Sequence, residues 1–220
     1  MSTLNWATVL VEGDDARTFL DGQLSQQIDD VMLGSWSNLL DPSSVVISAL
    51  WIRGGPLRYE LLVPNELASA VEARLRRFLI RVRCEISARN DALDPPLRTL
   101  SDLEEQRWPW VNEFQRELTP HSFGANYIAR TISFTKGCFT GQELVGRMDA
   151  RGASMPWRFA LASGPSLELI ESTIADVGPS GPKGVTTVLD ALGVRAFAIV
   201  HRSCCAEGAN YGAVHFEAVA

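Results

Sequence analysis

Residues 136–143 read Lys-Gly-Cys-Phe-Thr-Gly-Gln-Glu, and this stretch concentrates more chemistry than any other part of the chain. A threonine three residues before a glutamate is the pattern of a capping box, in which each side chain bonds the backbone N–H of the other. The spacing therefore predicts that Thr140 caps a helix and that Glu143 lies in its first turn. Glu143 and Arg147, at positions i and i+4, are expected to pair on one face of that helix.

Cys138 would then lie just outside the N-terminus of this helix. Unpaired N–H groups and the helix dipole favour a thiolate at such a position, and the ammonium group of nearby Lys136 adds a full positive charge. Gly137 and Gly141 leave the backbone free to turn or to approach a ligand closely. The simpler alternative is that Cys138 is a small buried apolar residue, which is the commonest role of a free cysteine. The chemistry around Cys138 favours the reactive thiol.

This stretch resembles the signature of the YgfZ-type folate-binding proteins, which are relatives of the aminomethyltransferase (T-protein) of the glycine cleavage system. The family carries Lys-Gly-Cys-Tyr-x-Gly-Gln-Glu, then an arginine and an Arg-Gly pair. In this chain Phe139 replaces the tyrosine, Arg147 is the arginine and Arg151-Gly152 is the pair. A second match lies well upstream, where residues 13–24 follow the family's Gly-x-Asp-Ala-x-x-Phe-Leu-x-Gly-Gln-Leu. Two landmarks in the right order make coincidence a poor explanation.

The resemblance implies an α+β fold in two parts. Residues 1–153 would form an aminomethyltransferase-like folate-binding module, an antiparallel sheet with helices that includes a ferredoxin-like lobe at about 45–90. Residues 154–220 would form a small antiparallel β-barrel. The patterns of the chain agree, because an alternating strand at 58–63 precedes a helix with an apolar stripe at 66–79, as in a β-α-β unit. Short strands separated by Gly-Pro turns follow in the last part of the chain.

The function implied by the resemblance is binding of a reduced folate, tetrahydrofolate above all, and support of the assembly or repair of iron–sulfur enzymes, including enzymes that modify tRNA. Trp6 matches a tryptophan that lines the folate site in the family, and a flat indole suits stacking with a pterin. On residue type alone, a core position for Trp6 is an equally good interpretation. By the same match, Lys136 and Cys138 are the candidate catalytic residues. The candidate folate-binding residues are Trp6, Gln23, Gly137, Gly141, Gln142, Glu143 and Arg147.

Composition restricts the class of protein further. With 220 residues, 46% of them apolar and 21% charged, the chain suits one large or two small soluble domains. A net charge of −6 argues against binding nucleic acid through the overall field, and five arginines between residues 74 and 83 are best explained as a solvated face. Neither a signal sequence nor a membrane-spanning run is recognisable, and the cysteines and histidines form no metal-ligand pattern. We therefore expect a cytoplasmic monomer whose partners are a reduced folate and iron–sulfur client or assembly proteins, without direct contact to nucleic acid or membrane.

Two segments depart from the family. Its members usually carry Pro-Lys-Gly-Arg or Ala-Lys-Gly-Lys in a turn where this chain has Pro42-Ser43-Ser44-Val45, so basic groups that would hold an anionic ligand are missing here. The connector at 87–120 is short, and it contains Trp108 and Trp110. Either tryptophan would substitute for a second folate-lining tryptophan of the family or would seal a domain interface, and the second role is favoured.

Two other classes of function compete with this interpretation. A true aminomethyltransferase needs a carboxylate near the folate amine. Where the T-protein relatives have an acidic pair shortly after a Gly-Gly step, this chain has Arg58 and Tyr59, and strand alternation places Glu60 on the other face from Tyr59. Aminomethyl transfer is thus expected to be absent, and the sequence leaves open whether the protein is an enzyme at all. The third class is a non-catalytic interaction module in which Cys138 serves only for packing.

Overall fold

The computed structural model describes residues 3–29, 31–152, 155–190, 192 and 194–219, which form two antiparallel β-sheets with helices packed on them. This is the α+β class that the sequence predicts. The first sheet lies within residues 6–89 and the second within residues 157–218. None of the helices in the described ranges is long and apolar enough to cross a membrane.

The first sheet is built on a ferredoxin-like pattern. Its strands follow the order β2-β3-β4-β1-β5, and all neighbours are antiparallel. Without β2, the order β3-β4-β1-β5 is that of a split β-α-β unit. This unit begins at Trp6 and therefore extends beyond the lobe predicted at about 45–90. The elements are β1 (Trp6–Glu12), α1 (Ala16–Gln23), β2 (Ser35–Leu40), β3 (Val46–Gly55), β4 (Arg58–Pro64), α2 (Ala68–Arg76) and β5 (Glu85–Arg89).

Strand alternation gives this sheet two different faces. Val9 and Val11 of β1 point to the side covered by α1 and α2, where they share an apolar cluster with Leu20 and Leu75. Trp6, also in β1, belongs to a second apolar cluster on the opposite side. The first sheet is therefore buried on both faces near the start of β1.

Three short helices lie within and directly after the connector at 87–120. They are α3 (Leu100–Gln106), α4 (Val111–Phe114) and α5 (Ala125–Thr131). The start of α3 is a capping box between Thr99 and Asp102, in which aspartate takes the place of the usual glutamate or glutamine. Trp108 and Trp110, between α3 and α4, are buried in a cluster that extends to the second sheet. Their burial supports the interpretation that they seal an interface.

The second sheet differs from the expected barrel. Its strands follow the order β7-β8-β6-β9, and within the described residues the sheet does not close on itself. A helix, α7, packs against β7 and β8 and was not predicted from the Gly-Pro turns that flank it. The Ser166 hydroxyl caps α7 by accepting from the backbone N–H of Leu169 at 3.3 Å. The elements are β6 (Trp157–Ser163), α7 (Leu167–Asp176), β7 (Gly184–Val188), β8 (Arg195–His201) and β9 (His215–Ala218).

A local contact with the start of α1 determines where β5 begins, which is at Glu85. Arg81 has a left-handed backbone (φ 58°), and the backbone N–H of Arg83 donates to the Asp15 carboxylate at 2.9 Å. These residues are therefore held by the start of α1 instead of by a neighbouring strand. Cys84 is half-buried against the cluster beneath α1 and α2, as expected for a packing residue.

Side chains of α4 attach the first part of the chain to the edge strand β7. The Asn112 amide donates to the backbone carbonyl of Thr186 at 2.7 Å. Buried Glu113 accepts from the Trp110 backbone N–H at 2.8 Å and from the Thr187 hydroxyl at 2.9 Å. Both oxygens of a buried carboxylate are thereby used to join the two parts.

Candidate functional site

The helix after the cysteine motif, α6 (Gln142–Ala150), begins differently from the prediction. Its N-cap is Gly141, with φ 83°, and no side chain caps it, so the capping box of Thr140 and Glu143 does not form. The backbone N–H of Gln142 instead donates to the carbonyl of Phe139 at 3.2 Å. A left-handed glycine starts this helix because the chain makes a tight turn there.

The turn between β2 and β3 supports this helix start. A Cβ atom on Gly141 would lie 2.8 Å from the backbone oxygen of Asp41, which is closer than real contacts allow. The hydroxyl of Ser44, a fully buried residue, donates to the carbonyl oxygen of Gly141 at 2.6 Å. Ser44 itself has a left-handed backbone (φ 65°). In this chain the turn that lacks the family's basic residues thus fixes the position of the motif.

Lys136 is buried beneath the motif, with only 2% of its side chain exposed. Its ammonium donates to the carbonyl oxygens of Asp21 and Leu24, both at 2.7 Å, and lies 3.1 Å from the Asp21 carboxylate. Burial lowers the pKa of Lys136, and the hydrogen bond to Asp21 acts in the opposite direction. The ammonium therefore satisfies orphan carbonyls at the C-terminal end of α1 and ties the motif to that helix.

Cys138 is the exposed member of the four cysteines. It lines an open depression of about 420 Å³ together with Gly141, Gln142, Glu143 and Arg147. Glu143 and Arg147 form the predicted ion pair, which is confirmed, and both side chains are well exposed. A Cβ added at Gly137 would meet no atom within 4 Å, so packing does not require glycine there. The structure thus brings most of the predicted motif residues around an accessible thiol.

Trp6 lies in a buried group of tryptophans. It is 6% exposed, its indole N–H donates to the Leu97 carbonyl at 2.7 Å, and its ring centroid lies 4.8 Å from that of Trp110. Trp36 belongs to the same group, and its ring centroid lies 6.2 Å from that of Trp6. Trp6 is therefore a core residue, which was one of the two interpretations of its position. Only the small exposed part of its ring is available to line a folate site.

That exposed part borders a cavity of about 620 Å³, which we call the amide cavity. Its wall carries three asparagines, Asn5, Asn65 and Asn90, and the guanidinium of Arg98, which pairs with Asp94. Carboxamides both donate and accept hydrogen bonds, so this wall suits a neutral heterocycle or another ligand with mixed polar edges. Sequence reasoning missed these residues, because asparagines at strand ends look like turn and cap residues.

Gln23 lies in neither place. It is 9% exposed, and its side-chain oxygen accepts from buried Arg74 at 3.4 Å. Arg74 also donates to the backbone oxygen of Leu40 at 3.4 Å and stacks on the ring of Phe78, 4.0 Å from its centroid. Gln23 thus belongs to a buried polar contact between α1 and α2.

No family model and no curated protein matches this chain. Among solved structures, the chain is similar to the glycine cleavage system aminomethyltransferase T from Bartonella henselae. The similarity has a TM-score of 0.58 and a sequence identity of 13%, and it covers 94% of this chain and 79% of the other. The chain has an aminomethyltransferase-like fold. At so low an identity, the similarity shows the fold alone. It confirms the expected aminomethyltransferase-like fold.

Within the aminomethyltransferase-like fold, the predicted site residues other than Gly137, which lines neither cavity, separate into three places. Cys138, Gly141, Gln142, Glu143 and Arg147 surround the open depression. Trp6 borders the amide cavity, which shares no lining residue with the depression. Lys136 and Gln23 are buried supports beneath the motif and beside α1.

Proposed function

We propose that this protein binds a reduced folate and acts as a YgfZ-type protein, with Cys138 as its functional thiol in the support of iron–sulfur enzymes. The observation that carries the proposal is the coincidence of an aminomethyltransferase-like fold with a Lys-Gly-Cys motif whose cysteine is exposed. The YgfZ-type assignment rests on the two sequence motifs. It is expected to work in the cytoplasm as a monomer, with iron–sulfur client or assembly proteins as its partners.

The amide cavity is our candidate for the folate. Its volume of about 620 Å³ lies within the range of about 300–1,000 Å³ that is common for small-molecule sites. Asn65 and Asn90 line this cavity, and carboxamides both donate and accept as a pterin edge requires, while the Arg98 guanidinium suits a glutamate carboxylate of the ligand. Trp6 would contribute an apolar floor to this site.

The open depression is our candidate for the step that involves Cys138. An exposed thiol on a shallow surface is accessible to a large partner such as another protein, whereas a closed pocket would admit only small molecules. The exposed ion pair of Glu143 and Arg147 adds charge to the rim. This arrangement fits a protein that delivers or repairs a cluster on a client.

Aminomethyl transfer is the rival function, and the surroundings of Glu60 count against it. The Glu60 carboxylate lies 2.9 Å from the guanidinium of Arg53 and 3.8 Å from that of Arg89. Arg58 approaches the same carboxylate at 3.9 Å. Arg53 binds one oxygen of this carboxylate and the other faces Arg58 and Arg89, so we assign Glu60 to an ion-pair network and not to the missing base.

Titration calorimetry of the purified protein with tetrahydrofolate tests the folate proposal. We expect a dissociation constant in the range of about 1 µM to 1 mM, which corresponds to about −8 to −4 kcal/mol. Asn90→Ala and Arg98→Ala should each weaken binding, since both residues are exposed and line the amide cavity. The matched control is Asn126→Ala, an exposed asparagine that lines a different cavity. No saturable heat with the wild type would refute folate binding, and a loss confined to Asn126→Ala would move the folate to the other cavity.

A further inference from the structure

The loop that carries the exposed cysteine is attached to α1 at both of its ends. We call residues 136–140 the thiol loop, and we call residues 21–26, the last turn of α1 with the three residues after it, the α1 exit. At one end the ammonium of Lys136 donates to carbonyl oxygens of the α1 exit. At the other end the backbone N–H of Thr140 donates to the carbonyl oxygen of Gly22 at 3.2 Å. The thiol lies midway between the two attachments, so its position depends on how firmly the α1 exit itself is held.

The lysine attachment uses the whole ammonium group. An ammonium has three N–H donors. That of Lys136 lies 2.7 Å from the carbonyl oxygens of Asp21 and Leu24, 3.1 Å from the Asp21 carboxylate and 3.3 Å from the carbonyl oxygen of Gln26. Every hydrogen of this buried group thus has an acceptor in the α1 exit, and the contact that Lys136 makes here is one that holds the loop.

Ser25 holds the α1 exit from inside the protein. This residue is 0% exposed. Its backbone N–H donates to the Asn38 carbonyl at 3.1 Å, and its hydroxyl oxygen accepts from the Asn38 N–H at 2.9 Å. Its hydroxyl donates to the Thr131 carbonyl at 2.6 Å, and its own carbonyl accepts from the Ser133 N–H at 2.9 Å. Ser25 therefore joins β2, the α1 exit and the chain that leads into the thiol loop.

The partners of Ser25 are fixed in turn by a buried polar network. Asn38 and Thr131 are both 0% exposed, and the Asn38 amide donates to the Thr131 hydroxyl at 2.9 Å and accepts from the Tyr127 hydroxyl. The Thr131 hydroxyl donates to the Tyr127 carbonyl at 2.8 Å. A satisfied buried network favours one arrangement of the chain, because a shift would leave polar groups without partners. The network thereby fixes the point from which the thiol loop starts.

We propose that Ser25 is a positioning residue for Cys138. Its bonds to Asn38 and Thr131 fix the α1 exit, and the α1 exit fixes the thiol loop. This inference rests on the proposed function, in which Cys138 is the functional thiol. Ser25 carries no charge, so it acts on the thiol through position and not through electrostatics, which separates its role from that of Lys136.

Hydrogen exchange at the Thr140 amide, resolved by NMR, tests this role. The amide donates to Gly22, so its exchange rate reports on the contact between the α1 exit and the thiol loop. Ser25→Ala removes both bonds of the hydroxyl, and we expect exchange to become at least about fivefold faster, as loss of a buried hydrogen bond predicts. The matched control is Ser48→Ala, because Ser48 is also 0% exposed and its hydroxyl donates to the Ala49 carbonyl within β3 at 2.7 Å. It should leave exchange at Thr140 unchanged.

Gln26→Ala is a milder change in the same segment and serves if Ser25→Ala does not fold. It removes the bond from the half-buried Gln26 amide to the Arg130 carbonyl at 3.2 Å, and it should speed exchange at Thr140 by a smaller factor. Activity provides a second measurement. At equal protein level, Ser25→Ala should restore less iron–sulfur enzyme activity than Ser48→Ala in cells that lack the protein.

Unchanged exchange at Thr140 in every folded variant of Ser25 and Gln26 would overturn the positioning role. Full activity of Ser25→Ala, where Cys138→Ser is inactive, would overturn it as well. Full activity of Cys138→Ser would refute the proposed function instead, and exchange at Thr140 would still decide whether Ser25 positions the loop.

Discussion

The hydroxyl of Ser44 donates a 2.6 Å hydrogen bond to the carbonyl of Gly141, and so connects the β2–β3 turn with the helix that follows Cys138. The Gly141 carbonyl also accepts from the Val145 N–H, at 3.4 Å, in the first turn of α6. The position of the thiol therefore depends on a turn that is distant in sequence.

Substitution of Ser44 should separate the hydrogen bond from the backbone strain. Ser44→Ala loses the buried bond and keeps a non-glycine residue at φ 65°, so we expect a loss of about 1–2 kcal/mol in the free energy of unfolding. Ser44→Gly loses the same bond but relieves the left-handed backbone, which is worth about 1 kcal/mol. Urea unfolding should thus rank the proteins wild type, glycine variant, alanine variant. The opposite order of the two variants would show that the left-handed backbone at Ser44 stores no strain, and wild-type stability of Ser44→Ala would show that the hydrogen bond contributes nothing.

The two glycines of the motif should respond differently to alanine. Gly141→Ala places a Cβ 2.8 Å from a backbone oxygen at φ 83°, so it should destabilise the protein by about 2 kcal/mol or more. Gly137→Ala adds a Cβ that meets nothing within 4 Å and should change stability by less than about 0.5 kcal/mol. Urea unfolding measures both. A Gly137→Ala variant that is stable but inactive would indicate that a ligand or partner approaches this backbone.

Loss of the buried ammonium of Lys136 should destabilise the first part of the chain. Lys136→Met keeps the apolar stem but leaves the carbonyls of Asp21 and Leu24 without their donor. We expect a loss of about 1–3 kcal/mol, the usual result of leaving buried polar groups unpaired. Lys183→Met, which removes an ammonium from carbonyls of the second part, serves as the comparison. If Lys136→Met slowed alkylation of Cys138 without loss of stability, the ammonium would act on the thiol as the sequence suggested.

Cys138 should be the first cysteine to react with iodoacetamide at neutral pH. It is exposed, whereas burial raises the pKa of Cys84 and of Cys204, and raises that of Cys205 to about 11. Peptide mass spectrometry over time measures the four rates. Cys138→Ser should leave the free energy of unfolding within about 0.5 kcal/mol of wild type and should fail to restore iron–sulfur enzyme activity in cells that lack the protein. Restoration of activity by Cys138→Ser would remove the thiol from the proposed function.

Stability should fall in mild acid because of His121. This residue is buried, neither ring nitrogen has a partner among the described residues, and burial lowers its pKa below 6.5. Asp149 raises that pKa and Arg158 lowers it further. As the pH falls below 6.5, the unfolded chain binds a proton that native His121 does not, so the free energy of unfolding decreases until the folded pKa is reached.

His121→Phe should remove this decrease between pH 7 and pH 5.5, while His215→Gln, at an exposed histidine, should keep it. Urea unfolding at the two pH values provides the measurement. Parallel losses in wild type and His121→Phe would show that other groups cause the acid sensitivity.

Features that depend on local sequence pattern were predicted correctly. Features that depend on contacts between residues distant in sequence were not. The strands of the first sheet and the Glu143–Arg147 pair follow from alternation and helical spacing, and the structure has both. The start of α6 was misplaced because Ser44 and Asp41, far away in sequence, force Gly141 into a left-handed turn. Ser25 and Thr131 were not recognised as neighbours, since only packing of α5 on β2 brings them together.

The aromatic cluster that contains Trp108 continues through Phe123 to Phe159 of the second sheet, whose ring centroids lie 5.9 Å apart, and on to Phe197 at 4.7 Å from Phe159. On this face the second sheet shares its apolar core with the first part of the chain, whereas its other face has a cluster of its own that includes Ile170 and Val200. A gene fusion that exchanged only residues after 154 would have to reproduce the shape of these rings to keep the interface closed. The two parts are therefore expected to be inherited together, and domain shuffling should have rarely separated them.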